Sequence, residues 1–314
     1  MGRKLPLTWG MPFFDLPPWM LSLLLAPFGL VVGSFGNVLI HRLPQDEPAD
    51  RNVTTKASHC PACKARIKPW HNVPLFGWLW LRGKCAACGW RIPVRYPLVE
   101  LLTGLLFAAS PWIFPMGTLI WFKGLVCGYA LIVLFFTDLM EMMLPDAIQF
   151  PLMVLGVLLT LPQVFRPEVL MKIWTGPADL LQVLAFHNGL QPAPAFHGFE
   201  PTVTWPQSLI GLAVGYGVPA LMNQLYKAIR KTDGLGMGDF KMLAWLGAFW
   251  GWAPMLGILF LGAGLGVAVG LPLMLLRRAS GQTMLPFGCF LALATPVVVF
   301  FGRSLWLGYL GLVG

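Results

Sequence analysis

Apolar residues in this chain neither alternate nor recur along one face. They come in long unbroken runs, separated by short polar stretches that collect the charges. A helix needs roughly 20 apolar residues to cross a bilayer core. Runs of this kind predict helices over about 18–40, 97–115, 117–137, 145–165, 207–227, 239–252, 254–276 and 286–312. The sixth, "DFKMLAWLGAFWGW", is short and is parted from the seventh only by "APM", which suits a helical hairpin that does not fully cross. The expected fold class is an all-α polytopic membrane protein with about eight transmembrane helices.

Composition supports this reading: 57% of residues are hydrophobic, only 11% are charged, and the mean hydropathy is +0.69. The formal charge of +9 is spread over loops beside apolar runs rather than gathered into a basic domain, so nucleic acid is not the expected partner; the lipid bilayer is. Residues 41–96 carry ten Lys or Arg; Lys227, Arg230, Lys231 and Lys241 lie between the fifth and sixth runs, and Arg277 and Arg278 follow the seventh. All three loops fall on one side, which the positive-inside rule makes cytoplasmic, with both termini outside. The implied division is an N-terminal tail (1–17), a first span (18–40) retained rather than cleaved as a signal peptide, a cytoplasmic loop domain (41–96) and a transmembrane domain (97–314). The outside loop at about 162–206 has short amphipathic patches suited to interfacial helices, and its His187 and His197 read as solvent-exposed rather than metal-binding.

The cytoplasmic loop contains "CPAC" and "CAACG". Two C-x2-C pairs, Cys60 with Cys63 and Cys85 with Cys88, place two thiolates on each of two tight turns and close a four-cysteine zinc site. Two disulfides are the alternative, and a reducing cytoplasm favours the metal. Four thiolates leave no open coordination position, so the zinc is expected to be structural, stabilising a loop with little core of its own. Cys127 and Cys289 sit singly in apolar runs as small core residues.

"FFTDLMEMMLPD" then brings Asp138, Glu141 and Asp146 after a long stretch in which Lys123 is the only charge. By the expected topology Asp138 closes the third span and Asp239, in "GLGMGDFKM", opens the sixth on the same side. Ionisable groups at span edges face protein or water rather than lipid. Two close carboxylates share one proton, one activating water while the other donates to a carbonyl, as in aspartic-protease chemistry. Asp239 has a second reading as a helix N-cap, and Asp146 as an acid at a helix start. Gly234, Gly236 and Gly238 give conformational freedom and room for a substrate backbone. Acids at the cytoplasmic edge suit an ion- or proton-coupled transporter less well than a peptidase, and a zinc-loop scaffold would leave them without purpose.

Taken together, "GSFGNVLIHRLP" (33–44), the cysteine pairs, "NVPLFGWLWLRGKC" (72–85), "RYPLVELLTG" (95–104), "TDLMEMMLPD" (137–146), "GLGMGDFKM" and "PFGCFLA" (286–292) resemble the bacterial type IV prepilin peptidase family. The resemblance implies a GxGD aspartic membrane peptidase with catalytic Asp138 and Asp239. It would cut basic leaders from prepilins or type II secretion pseudopilins at the cytoplasmic face of the inner membrane. It also implies N-methylation of the new terminus with S-adenosylmethionine, for which Asn37 and Glu100 are candidates, with Lys241 a possible supporting residue. Cys289 stands where the family usually has proline, and the outside loop is longer than usual.

Overall fold

The computed structural model describes residues 16–45, 47, 51–53, 58–114, 116, 118–161, 203–232, 234–276 and 285–313, with side chains beyond 302 omitted. Residues 1–15 of the expected tail, most of the long outside loop with His187 and His197, and Asp233, Arg277 and Arg278 lie outside the described residues. The described chain is helical, with two isolated β-bridges and no strand. The helices are α1 (Pro18–Arg42), α2 (Phe76–Trp80), α3 (Arg95–Ile113), α4 (Leu119–Glu141), α5 (Asp146–Leu158), α6 (Trp205–Arg230), α7 (Met237–Trp250), α8 (Trp252–Leu275) and α9 (Phe287–Val313). Apart from the five-residue α2, each long helix lies where an apolar run predicts one. Among the described residues five, α1, α3, α4, α6 and α8, are long and apolar enough to cross a membrane; α5 and the Phe287–Gly302 part of α9 are shorter. The chain is thus a multi-pass membrane protein. The fourth run is overextended by the sequence pattern: its helix ends at Leu158, and the Thr160 hydroxyl donates to the Val157 carbonyl in the turn that follows.

The chain forms two compact units, Met1–Pro145 and Asp146–Gly314. In the first, α1 packs along α3 through small residues. A Cβ at Gly29 would lie 2.7 Å from the Phe107 Cβ, and one at Gly33 would lie 2.8 Å from the Glu100 Cα. Small residues four apart let membrane helices approach to backbone contact. Polar bonds fasten the same seam: the Ser22 hydroxyl donates to the Ala108 carbonyl at 2.6 Å, and the Asn37 amide to the Tyr96 carbonyl at 3.0 Å.

The second unit is built around α7, in which every residue from Met242 to Phe249 is buried. A helix buried on all faces carries no amphipathic stripe, and its sequence reads as uniformly apolar. At 14 residues it spans about 21 Å, short of a bilayer core, and it ends at Gly251, whose φ of +88° breaks the helix before α8. The expected short hairpin is therefore realised as one fully enclosed helix joined to a long one. Gly211 on α6 faces Gly247 on α7 so closely that a Cβ on either would overlap the other's carbonyl oxygen. The Ser208 hydroxyl on α6 donates to the Ala248 carbonyl at 2.8 Å. Apolar residues such as Phe28, Phe260 and Val267 point outward, while Thr103, Ser110, Thr137, Gln149 and Ser208 are buried, the distribution a lipid solvent imposes.

Candidate functional site

The two cysteine pairs fold as two copies of one turn. In the first, the Cys60 N–H donates to the Ala65 carbonyl at 2.9 Å and the Lys64 N–H to the Cys60 carbonyl at 2.9 Å. In the second, the Cys85 N–H donates to the Trp90 carbonyl at 2.8 Å and the Gly89 N–H to the Cys85 carbonyl at 2.9 Å. The left-handed residues match as well, Lys64 at φ 59° and Gly89 at φ 72°, as do the flanking bridges, His59 with Arg66 and Lys84 with Arg91. Trp78 of α2 ties the second turn down, its indole N–H donating to the Ile92 carbonyl at 3.1 Å.

The turns bring the Cys60, Cys63, Cys85 and Cys88 sulfurs within 4.8 Å of one another. Tetrahedral metal–sulfur bonds of about 2.3 Å place sulfurs about 3.8 Å apart, so small inward shifts would close the shell. Backbone N–H groups of Cys88 and Ala87 hold the Cys85 thiol down at about 6, so it is a thiolate near neutrality. The Trp90 N–H draws Cys88 the same way, but desolvation and the neighbouring cysteines outweigh it and push that thiol up to about 11. Four thiols crowded together do not all ionise alone; a cation relieves the conflict. The cluster has the donors and geometry to hold a metal ion.

Asp138 lies in the first unit and Asp239 in the second. Asp138 is in the last turn of α4 and only 5% exposed; the Met142 N–H closes the helix on its carbonyl at 2.9 Å, with Met142 left-handed at φ 48°. An acid in the last turn of a helix opposes the macrodipole, so helix formation does not explain Asp138. Asp239 is in the first turn of α7 and 8% exposed. Its Oδ2 accepts from the Gly236 N–H at 3.2 Å, and its own N–H donates to the Gly236 carbonyl at 3.1 Å. The N-cap is Gly236, and Asp239, at the third helical position, reaches back to its N–H, so the acid caps the helix start from within the first turn rather than as the N-cap residue.

The glycine loop is pinned from α6, because the Asn223 Oδ1 accepts from the N–H groups of Gly234 at 2.7 Å and Leu235 at 3.1 Å. Neither Gly234 nor Gly236 uses a positive φ. Their value is space: a Cβ at Gly234 would meet the Tyr226 ring at 2.8 Å, and one at Gly236 would lie 3.1 Å from the Asp239 carboxylate. Lys241 bonds Asp146 at 2.6 Å and lies over the Phe150 ring, tying the start of α5 to the first turns of α7. Asn37 and Glu100, read as methyl-transfer candidates, are occupied structurally. Asn37 holds the start of α3 through Tyr96, while Glu100 Oε2 accepts from the Leu75 N–H at 2.8 Å with the Ser34 hydroxyl beside it. Sequence reasoning missed Asn223 and Leu75. A polar side chain near the end of an apolar run was the only signal for the first, and Leu75 had none.

The bacterial peptidase A24 N-terminal domain matches residues 28–114, and the type IV leader peptidase family matches residues 125–271. A protein of Aeromonas hydrophila is 34% identical over 93% of this chain and 95% of its own length. One of Xanthomonas campestris pv. campestris is 33% identical over 97% and 99%, and one of Pseudomonas aeruginosa 32% over 91% and 92%. Each is named prepilin leader peptidase/N-methyltransferase. No solved structure matches the chain. The first match takes in the cysteine pairs and the second takes in both buried aspartates, and with relatives aligned over nearly the whole length the chain belongs to the type IV leader peptidase family.

Proposed function

We propose that this chain cleaves the leader from type IV prepilins or type II secretion pseudopilins and N-methylates the new terminus. The observation that carries the reading is the pair of buried acids, Asp138 and Asp239, within the stretch that matches the leader peptidase family. Asp138 and Asp239 are the catalytic carboxylates. Asp239 carries the negative charge, because the first turn of a helix and the Gly236 N–H both favour an anion there.

In this mechanism Asp239 takes a proton from water as its oxygen adds to the scissile carbonyl carbon, and Asp138 gives its proton to the carbonyl oxygen. The C–N bond then breaks as Asp239 passes the proton it took from water to the leaving amine and the adduct's hydroxyl returns a proton to Asp138. Gly234 and Gly236 keep side chains away from Tyr226 and Asp239, and Gly238, next to Asp239, leaves room for a substrate backbone. Lys241, held by Asp146, fixes the first turn of α7.

The metal at Cys60, Cys63, Cys85 and Cys88 is zinc with a structural role, supported by four sulfur donors on two matched turns. S-adenosylmethionine is the methyl donor in this reading, which the N-methyltransferase in the relatives' names supports as far as the transfer itself. Asn37 and Glu100 do not fit a donor site, since both are buried and bonded within the protein, so no step is assigned to them. The protein resides in the bacterial inner membrane with the cysteine segment and Asp138 and Asp239 on the cytoplasmic side, in accord with the placement of its basic loops. The ion-coupled transporter alternative is set aside because the family match places the chain among leader peptidases.

The test is incubation of the reconstituted protein with a prepilin and S-adenosylmethionine, followed by mass measurement of the product. Loss of the leader together with the added mass of one methyl group supports both activities. Leader loss without methyl gain removes the second, and an unchanged substrate removes both.

A further inference from the structure

Between the two cysteine turns, Trp70, Val73, Phe76, Leu79 and Trp80 are exposed, Phe76 at 67% and Trp80 at 82%. All but Leu79 line one shallow cleft with His71. Such a patch is not left bare on a surface that faces only water. Its charge is equally one-sided: residues 58–95 contain seven Lys or Arg and no Asp or Glu. Lys68 lies 5.5 Å from the centre of the Trp70 ring, so charge and aromatic surface are adjacent.

The depth of the patch is fixed from within the first unit. The Leu75 N–H donates to Glu100, five residues inside α3. At 1.5 Å per residue this attachment lies about 7.5 Å along the helix from Arg95, the basic residue at its start. Leu75 has φ 60° and ψ −52°, and the Phe76 N–H closes on the Pro74 carbonyl at 2.7 Å. A leucine takes this conformation only when its surroundings hold it. Glu100 provides that hold, and α2 begins at the next residue.

We propose that residues 69–80 are an interfacial anchor. Trp70, Phe76, Leu79 and Trp80 enter the headgroup layer of an anionic bilayer, the surrounding lysines and arginines bind lipid phosphates, and the Glu100–Leu75 bond sets the depth. Aromatic rings with one wet edge favour that layer, and basic residues beside them add affinity for anionic lipid. An adenine-bearing ligand would also stack on tryptophan, but the segment offers no acid for ribose hydroxyls or a cationic group. The anchor does not depend on the peptidase reading, since it needs only α1 and α3 to be membrane spans.

The experiment places the photoreactive residue p-benzoylphenylalanine at position 80, in place of Trp80, in the full chain. The protein is reconstituted in vesicles of phosphatidylglycerol or of phosphatidylcholine, irradiated and digested for mass measurement. Lipid adducts on the peptide containing position 80 are expected, several-fold more in phosphatidylglycerol. A second form also carrying Lys68→Glu and Arg82→Glu, checked to elute as the parent does in detergent, is expected to lose that excess. Cross-links only to another copy of the chain, no adduct, or equal adducts in the two lipids would overturn the proposal.

Discussion

The Gly236 N–H donates to the Asp239 carboxylate at 3.2 Å, so this acid caps the helix that carries it. Capping and catalysis separate in substitutions, because an amide oxygen caps as a carboxylate does but neither holds charge nor accepts a proton from water. Asp239→Asn is expected to keep the parent's melting temperature within the effect of a surface change while cleavage is lost. Asp239→Ala is expected to lose cleavage and, with the bond to the Gly236 N–H, about 1 kcal/mol of stability as well. Thermal unfolding in detergent beside a cleavage assay reads both.

Lys241 is 15% exposed, Asp146 is 54% exposed, and the two meet at 2.6 Å. Solvent screening at the open Asp146 end limits the pair to about 1 kcal/mol. Asp146→Asn and Lys241→Met are each expected to slow cleavage by roughly fivefold, and the double variant is expected to be no slower than either single one. Additive losses would mean that the two act separately.

Two of the four clustered residues, Cys63 and Cys88, are exposed. A bound metal is therefore open to chelators. Purified, reduced protein is expected to contain one zinc per chain by elemental analysis, lost on prolonged chelation and absent from a Cys60→Ser, Cys88→Ser form. Amide exchange over residues 58–92 is expected to rise sharply when the metal leaves, because metal binding supplies much of the folding free energy of so small a segment.

Gly211 and Gly217 lie on the same helix, and only Gly211 is pressed against a neighbour. A Cβ at Gly211 would overlap the Gly247 carbonyl, whereas one at Gly217 would meet nothing within 4 Å. Gly211→Val is expected to cost about 1–3 kcal/mol or more, seen as a lower melting temperature and yield. Gly217→Ala is expected to be neutral or to gain up to about 1 kcal/mol from helix propensity.

The long helices were legible because lipid asks for continuous apolar runs, and such runs are written locally. The cysteine turns were legible for the same reason: two residues between ligands and a left-handed residue after the second, Lys64 or Gly89, make each turn complete within a few positions. The Glu100 bond to Leu75 joins residues 25 apart through a backbone N–H that every residue but proline possesses, so no residue type announces it. The glycines before Asp239 were legible as special but not in their reason. Their φ values are ordinary, and Gly234 is required by Tyr226, eight residues back on another helix. That α7 is short was visible in the run, but its end was not: the run extends to Trp252 with the break at 253–255, whereas the helix stops at Trp250, Gly251 makes the break and 253–255 lie inside α8. Nor was its enclosure on every face visible, because that depends on the glycines of α6.

The central claim is that Asp138 and Asp239 perform the cleavage. The most direct measurement is the prepilin cleavage rate of Asp138→Asn and Asp239→Asn forms, reconstituted in the same lipid and matched to the parent in thermal stability. Each is expected to lose cleavage by at least about a thousandfold, with the double variant no worse than either, as groups acting as one unit behave. Cleavage at the parent rate by either folded variant would contradict the assignment.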